Sequence, residues 1–243
     1  VNTDNLKIAV EGMKALGVKG FNCTYPDKNL MCSLADRLSP AAEMIGAVNT
    51  VLNENGVLTG FNTDGMVYML SLKDGGFDII GKKMTLLGAG GAATSIAVQA
   101  ALDGVAQIDM FSRRTKFWNR ALELADVLNR RTSCHVCIYD MADTTQLKQS
   151  LKDSKILTNG TSVGMAPDTE GCLITDMSMF HEELIVSDIV YNPRETKLLK
   201  LAKEHGCKTF HGLYMLLYQG AEAFKIWTGK EMPVLSIKEK FFS

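Results

Sequence analysis

The sequence predicts an α/β protein in two parts: a short α/β unit at the front and a longer unit built on a parallel sheet. Three observations predict it. From Met84 to Phe210, apolar runs alternate with amphipathic segments at the spacing of β-α-β units. Ahead of that stretch, two apolar runs flank Asn53-Glu54-Asn55-Gly56, the pattern of a hairpin with positive φ angles at Asn-Gly. At the join, Asp74-Gly75-Gly76 breaks the chain before Gly81-Lys82-Lys83 leads into the first apolar run.

In chain order, Leu6, Val10, Met13 and Leu16 fall at helical spacing over 4–16, and Gly17 is placed to end that helix. Residues 20–24 read as a short strand. Pro26 suits a first helical turn, and Leu30, Leu34 and Leu38 follow at i, i+4 and i+8. Ser39-Pro40 opens another short helix as cap and first-turn residue. The hairpin strands span 47–52 and 57–61, and Asp64 can cap a helix from Gly65 to about Lys73. Strands then follow at 84–87, 106–111, 134–139, 155–159, 185–189 and 207–210, with helices at 91–102, 116–129, 143–152 and 195–203. The last stretch is helical, with Leu213, Leu216, Leu217, Gly220, Ala221, Phe224 and Trp227 on one face and a final helix near 234–242.

Composition narrows the function classes. The chain has 243 residues, 46% hydrophobic and 22% charged, and a formal net charge of -1. That is ordinary for a globular protein and gives no electrostatic footprint for nucleic acid or an anionic membrane. Arg113-Arg114 and Arg130-Arg131 are short and read as solvated surface. No apolar run is long enough to span a bilayer, and no basic-then-apolar leader is present. Six scattered cysteines suit reduced thiols in a cytoplasmic protein. Cys134-x-x-Cys137 looks like half a zinc site without its second half, so no metal is expected.

Gly88-Ala89-Gly90-Gly91-Ala92-Ala93 follows an apolar strand and opens a helix, fitting G-x-G-x-x-A. Gly88 permits a tight turn, Gly90 lets backbone approach a diphosphate, and Ala93 lets helix and strand pack closely. The diphosphate would sit on the helix N-terminus. The alternative is a tight turn with no ligand. An NAD-selective site carries an acid about 20 residues after the glycines. Here Ser112-Arg113-Arg114-Thr115 stands in that place, and arginines suit a 2′-phosphate. The residues lean to NADP, against a reading as two surface arginines before a helix.

Asn22-Cys23-Thr24-Tyr25-Pro26-Asp27-Lys28 places Asn22 and Thr24 on one face of a strand end. Lys28 falls in the first turn of the next helix, where a cation opposes the dipole. That is a poor choice for stability and a reasonable one for an acid–base lysine; the alternative is a surface lysine paired with Asp27. Asn49 is a polar residue inside an apolar strand, and Asp64 alone is a helix cap.

These segments together resemble the shikimate dehydrogenase family along essentially the whole chain. The resemblance rests on Gly20-x-Asn22-x-Thr24-x-Pro26-x-Lys28, Gly46-Ala47-Val48-Asn49-Thr50 and Gly60-x-Asn62-Thr63-Asp64-Gly65. It continues through the Gly-rich turn, Asn159-Gly160-Thr161-x-Val163-Gly164-Met165, Val190-Tyr191-Asn192-Pro193-x-x-Thr196 and Gly212-x-x-Met215-Leu216-x-x-Gln219-Gly220-Ala221. Phe111-Ser112-Arg113-Arg114 is closest to the quinate/shikimate branch, whose members use NAD as well as NADP. In relatives an acid often follows the arginine pair, and here Thr115 stands there.

The resemblance implies an α/β substrate-binding domain over 1–80, a Rossmann-type dinucleotide-binding domain over 81–212, and C-terminal helices over 213–243 that return to the first. It implies an NAD(P)-dependent oxidoreductase that reversibly reduces 3-dehydroshikimate to shikimate in aromatic amino-acid biosynthesis, with quinate and 3-dehydroquinate as a second pair. Lys28 and Asp64 are then the catalytic pair, and Asn22, Thr24, Asn49, Tyr191 and Gln219 bind the substrate. Gly88, Ala89, Gly90, Gly91 and Ala92 hold the diphosphate, and Ser112, Arg113, Arg114 and Thr115 the adenosine end. Ile189, Val190, Tyr191, Asn192 and Gly212 contact the nicotinamide half. A homodimer is compatible with the resemblance.

Two departures stand out. Family members begin with a strand and helix joined by a Ser-x-Ser element that grips the substrate carboxylate, and no Ser-x-Ser occurs before Asn22. The chain is therefore expected to lack the segment that opens the fold, and a second reading follows: a catalytically impaired dinucleotide- or shikimate-binding module. Tyr214 stands where relatives often carry a small residue, which would narrow the nicotinamide pocket.

Overall fold

Two sheets organise the chain, as a computed structural model that describes residues 1–24, 26–115 and 117–241 shows. Expectations that fall on Tyr25, Lys116, Phe242 and Ser243 lie outside the described residues. Among those residues, the first sheet is mixed and four-stranded. It comprises β1 (Gly20–Asn22), β2 (Arg37–Leu38), β3 (Thr50–Glu54) and β4 (Val57–Phe61), in the order β1-β3-β4-β2. The second comprises β5 (Lys83–Leu87), β6 (Gln107–Ser112), β7 (His135–Asp140), β8 (Ile156–Asn159), β9 (Ile185–Asp188) and β10 (Lys208–His211). All its pairings are parallel, in the order β10-β9-β8-β5-β6-β7. The order reverses between β5 and β8, which makes the crevice at their C-terminal ends the switch point of a Rossmann-type sheet.

The hairpin forms as Asn55-Gly56 dictates, with φ of 54° and 88° at the two turn residues. Its first strand starts at Thr50 rather than Ala47, because Val48 N–H bonds the Lys28 carbonyl instead of a ladder partner. Helix α1 (Leu6–Ala15) and the capped helix α3 (Pro40–Ile45) form as expected. Ser39 Oγ accepts from Ala42 N–H, Pro40 stands at the first helical position, and Gly46 closes the end at φ 66°.

Helix α2 (Lys28–Leu34) is shorter than its leucine spacing predicts. Leu38 is not helical: it pairs with Gly60, and Asp36 and Ser39 extend the pairing through backbone bonds to Leu58 and Gly60. The buried residue of α2 is Met31, fully enclosed, while Leu30 is exposed. Tertiary pairing thus overrides a weak helical pattern.

Behind the mixed sheet, α4 (Asp64–Asp74) packs against α5 (Gly91–Asp103), the helix that follows the glycine-rich turn. Tyr68, Leu72, Ile96, Ala97, Met84 and Leu86 belong to one buried cluster, so the two units share a core. On its other face the parallel sheet is covered by a second cluster around Leu87, Leu157, Val186 and Leu199. Burial on both faces explains why its strands read as continuous apolar runs.

After α6 (Trp118–Arg131), α7 (Thr144–Leu151) and α8 (Lys197–Glu204), helix α9 (Leu213–Thr228) returns to the first unit. It packs on α4, and Trp227 Nε1 donates to the Val51 carbonyl at 2.9 Å. Its predicted apolar face is only partly buried. Leu217 and Ala221 are enclosed, with Tyr218 and Ala223 beside them, while Leu216 and Phe224 are exposed. Helix α10 (Val234–Phe241) follows, and its Lys238 bonds Asp74 at the end of α4 at 2.7 Å. No described helix is long and apolar enough to cross a membrane.

The α4–α5 crossing depends on one glycine. A Cβ on Gly65 would collide with the Ser95 carbonyl and lie 2.7 Å from Gln99 Cβ. Gly65→Ala is expected to cost about 1–3 kcal/mol in denaturant unfolding by overpacking. Unchanged stability would show that the helices part freely. A pH effect follows from Asp74. Its hydrogen bond from Lys238 holds the carboxyl below its ordinary range. The pair therefore adds stability above about pH 3.9, the ordinary carboxylate value, and loses it as pH falls through the lower folded value. Asp74→Asn should shrink the stability difference between pH 7 and acid; an unchanged difference would contradict this.

Candidate active site

A single carboxylate gathers the polar residues of the first unit. Asp64 is the first residue of α4 and is nine-tenths buried. Its Oδ2 accepts from Lys28 Nζ at 2.7 Å, while Oδ1 accepts from Asn49 Nδ2 and from Gln219 Nε2, both at 2.8 Å. The donors come from α2, from the residue before β3 and from α9. Asp64 is not the helix cap that its position suggests. The cap position is Thr63, and the carboxylate turns instead into this cluster. Lys28 likewise does not pair with Asp27, which is buried and accepts from Thr3 Oγ1 at 2.6 Å.

Asn49 is held from behind. Its Oδ1 accepts from Thr63 N–H at 3.0 Å and from Thr50 Oγ1 at 3.0 Å, which fixes the amide so that Nδ2 points to Asp64. Asn22 Nδ2 donates to the Asn49 carbonyl and to Thr50 Oγ1. These groups border a pocket of about 300 Å³ lined by Asn22, Cys23, Thr24, Lys28, Asn49, Thr63, Asp64, Leu216, Gln219 and Gly220. The pocket presents an ammonium, a carboxylate, amides and hydroxyls at fixed positions. It is therefore suited to a small polyhydroxylated molecule and to proton movement at Lys28 Nζ. Cys23, Thr63, Leu216 and Gly220 were missed as site residues. Only their place in the Gly20–Lys28, Asn62–Gly65 and Gly212–Ala221 motifs signalled them.

A larger groove of about 560 Å³ lies over the switch point. The glycine-rich turn forms its floor. Gly88 has φ 107°, and a Cβ there would lie 2.7 Å from Thr161 Cγ2, so only glycine fits. A Cβ on Gly90 or Gly91 would meet nothing, which leaves the N-terminus of α5 open to an approaching anion. Buried Ala93 packs closely on Gly160, where an added Cβ would lie 2.8 Å from Ala93 Cβ. Of the residues expected at the dinucleotide, Gly88 to Ala92, Ser112, Arg113, Thr115, Ile189, Val190 and Tyr191 line the groove, joined by Phe111, Phe117, Met141, Gly160, Thr161, Ser162, Val163, Met165 and Leu173. The Asn159–Met165 motif was visible in the sequence, but its place in the groove was not.

Four expected site residues sit differently. Tyr191, expected at both ligands, lines the groove and not the small pocket, and is 55% exposed. Asn192 and Gly212 line neither cavity; Gly212 packs on the Ile189 backbone. Arg114 is also outside the groove lining. Its Nε bonds Asp140 Oδ2 at 2.6 Å, and its guanidinium lies 4.8 Å from the Trp118 ring centre. Arg113 is thus the arginine of the pair that faces the groove.

A buried acid braces the loops that flank the groove. Asp188 ends β9, and its Oδ1 accepts from Asn159 Nδ2 and Val190 N–H, both at 3.0 Å, while Oδ2 accepts from Thr196 Oγ1 at 2.7 Å. Burial pushes its carboxyl above the usual range, against the pull of these three bonds. Asn159 in turn takes Thr161 N–H and Thr161 Oγ1 on its own carbonyl. The cysteines are free, and burial raises the Cys134 thiol to about 11. No cluster of three or more metal-ligating side chains occurs among the described residues.

Comparison with known proteins agrees with this geometry. A family model described as the shikimate dehydrogenase substrate binding domain matches residues 1–51, and one described as the shikimate 5'-dehydrogenase C-terminal domain matches 212–240. The chain is 50% identical to a shikimate dehydrogenase (NADP(+)) of Listeria innocua, over all of this chain and 83% of the relative. It is 46% identical to a quinate/shikimate dehydrogenase of Escherichia coli, over 98% of this chain and 83% of the relative. A crystal structure of shikimate 5-dehydrogenase from Listeria monocytogenes, in complex with shikimate and NAD, superposes with a TM-score of 0.97 at 50% identity. It covers all of this chain and 84% of that one. The chain belongs to the shikimate dehydrogenase family.

Proposed function

We propose that the chain is a shikimate dehydrogenase, an NAD(P)-dependent oxidoreductase that reversibly reduces 3-dehydroshikimate to shikimate and also accepts quinate and 3-dehydroquinate. The observation that carries the reading is the Lys28–Asp64 pair at 2.7 Å in a pocket ringed by fixed polar groups. Relatives named for shikimate and quinate, at 50% and 46% identity, support the substrate class.

Residues 1–80 with helices 213–243 are assigned to substrate binding and catalysis, and 81–212 to the dinucleotide. The mixed sheet lies wholly in the first range and the parallel sheet in the second, and Gln219 of α9 reaches Asp64. A bound nicotinamide dinucleotide supplies the hydride. The turn 88–92 would hold its diphosphate and residues 112–115 its adenosine end.

The chain's own residues do the rest. Lys28 gives its Nζ proton to the alkoxide that develops as the ketone is reduced, and takes it back in the oxidation direction. Asp64 holds Nζ in place by its ion pair and offers Oδ2, which accepts from Lys28 alone among the described residues, to a substrate hydroxyl. Asn22, Thr24, Asn49 and Gln219 fix the ring by its hydroxyls. A ring lacking them would leave these groups unpaired, which disfavours the wrong substrate.

The test is Lys28→Ala, assayed by NAD(P)H absorbance with shikimate and with quinate. Loss of an acid–base group should lower kcat by about 10²–10⁴-fold while dinucleotide binding, followed by fluorescence, is retained. Turnover undiminished in the variant would overturn the role of Lys28. Dinucleotide binding with no turnover of either polyol by the unaltered protein would overturn the enzyme reading in favour of a binding module.

A further inference from the structure

We propose that Asp140 sets the cofactor preference of the groove, favouring a dinucleotide whose adenosine ribose has a free 2′-hydroxyl over one with a 2′-phosphate. The inference rests on the reading of the groove as a dinucleotide site. In such sheets the residue at the end of the second strand meets the adenosine ribose: an acid there favours the hydroxyl, an arginine the phosphate. Along the chain, β6 ends on Ser112-Arg113-Arg114-Thr115 and offers no acid.

The sheet supplies one from the side. Asp140, the last residue of β7, is the ladder partner of Ser112. Met141 N–H bonds the Ser112 carbonyl at 3.0 Å, and both Ser112 and Met141 line the groove. The neighbouring strand thus delivers a carboxylate to the level where β6 lacks it.

This carboxylate acts twice. It takes Arg114 Nε at 2.6 Å, with the Trp118 ring beneath the guanidinium, so one of the two arginines is already engaged. The fork that would grip a phosphate by two parallel bonds has one of its donors committed. Neither Asp140 nor Arg114 lines the groove, but each adjoins in sequence residues that do, so a 2′-phosphate that extends past Arg113 must compete with Asp140 for Arg114 and meets a like charge beside it. A ribose hydroxyl meets neither obstacle. Ala142 N–H braces the other carboxylate oxygen at 3.0 Å, which keeps Asp140 in this orientation. The arginine is 68% exposed, so solvent screens the pair and the effect is one of preference, not exclusion.

The experiment measures kcat/KM for NADP and for NAD, with saturating shikimate, in the unaltered protein and in Asp140→Asn. The expected result is a rise in the NADP:NAD ratio of about fivefold, the scale of a partly screened charge pair. The rise should lie in the KM for NADP and should shrink in high salt. Asp140→Ser, with a smaller neutral side chain, should give the same rise, and adding Arg114→Ala to Asp140→Asn should remove it. Because the readout is a ratio within one protein, a general loss of folding or activity does not imitate it. A ratio within twofold of the unaltered protein in both single variants would overturn the proposal while leaving the dinucleotide reading intact. Absence of saturable binding of either dinucleotide to the unaltered protein would overturn both.

Discussion

The Asp64 carboxylate is the constraint on which the site depends. It is nine-tenths buried, and its two oxygens accept from an ammonium and two amides. A buried charge of this kind is tolerable only when its lone pairs are filled. Each donor comes from a different segment, so satisfying one carboxylate requires α2, the β3 entrance, α4 and α9 all to be in place. Removal of any one donor leaves a buried acceptor short of a partner, the costly half of a hydrogen bond. The polar cluster that would bind and protonate a substrate is therefore also what closes the first unit around its C-terminal helix.

Helix α4 ties the polar cluster to the glycine-rich turn. Asp64 begins α4, and the next residue, Gly65, lets α4 lie against α5 one turn beyond the open N-terminus at Gly91. The carboxylate and the glycine-rich turn are thus fixed relative to each other by helix packing over a shared core. Asp188 and Asn159 brace the far side of the groove, holding the loops after β8 and β9 by side-chain bonds. The groove walls are built from rigid elements on both sides of the switch point.

Much of this was legible in the sequence. Strand-helix alternation and the glycine-rich turn gave the parallel sheet, because both follow from local rules. The hairpin followed from Asn55-Gly56. The Lys28–Asp64 pair was legible only through the ordered set of motifs. Taken singly, Asp64 read as a cap and Lys28 as a partner of Asp27, since local rules see neighbours in sequence and the true partners are 36 residues apart. The same limit hid the position of Asp140, which reaches the end of β6 across the sheet ladder, and led the leucine spacing through Leu38, where strand pairing wins. On α9 the apolar stripe was visible, but two of its members, Leu216 and Gly220, line the small polar pocket instead of the core. Apolar spacing does not distinguish a core face from the wall of a pocket.

The most direct measurement is the kinetics of Asp64→Asn with saturating cofactor, alongside its unfolding in denaturant. An asparagine keeps the shape but loses the charge that pairs with Lys28, and its amide cannot accept at both positions. The account predicts a kcat lower by about 10²-fold or more, the scale of a misplaced acid–base group, with the protein still folded. A folded variant with kcat within twofold of the unaltered protein would contradict the claim that this carboxylate organises the site.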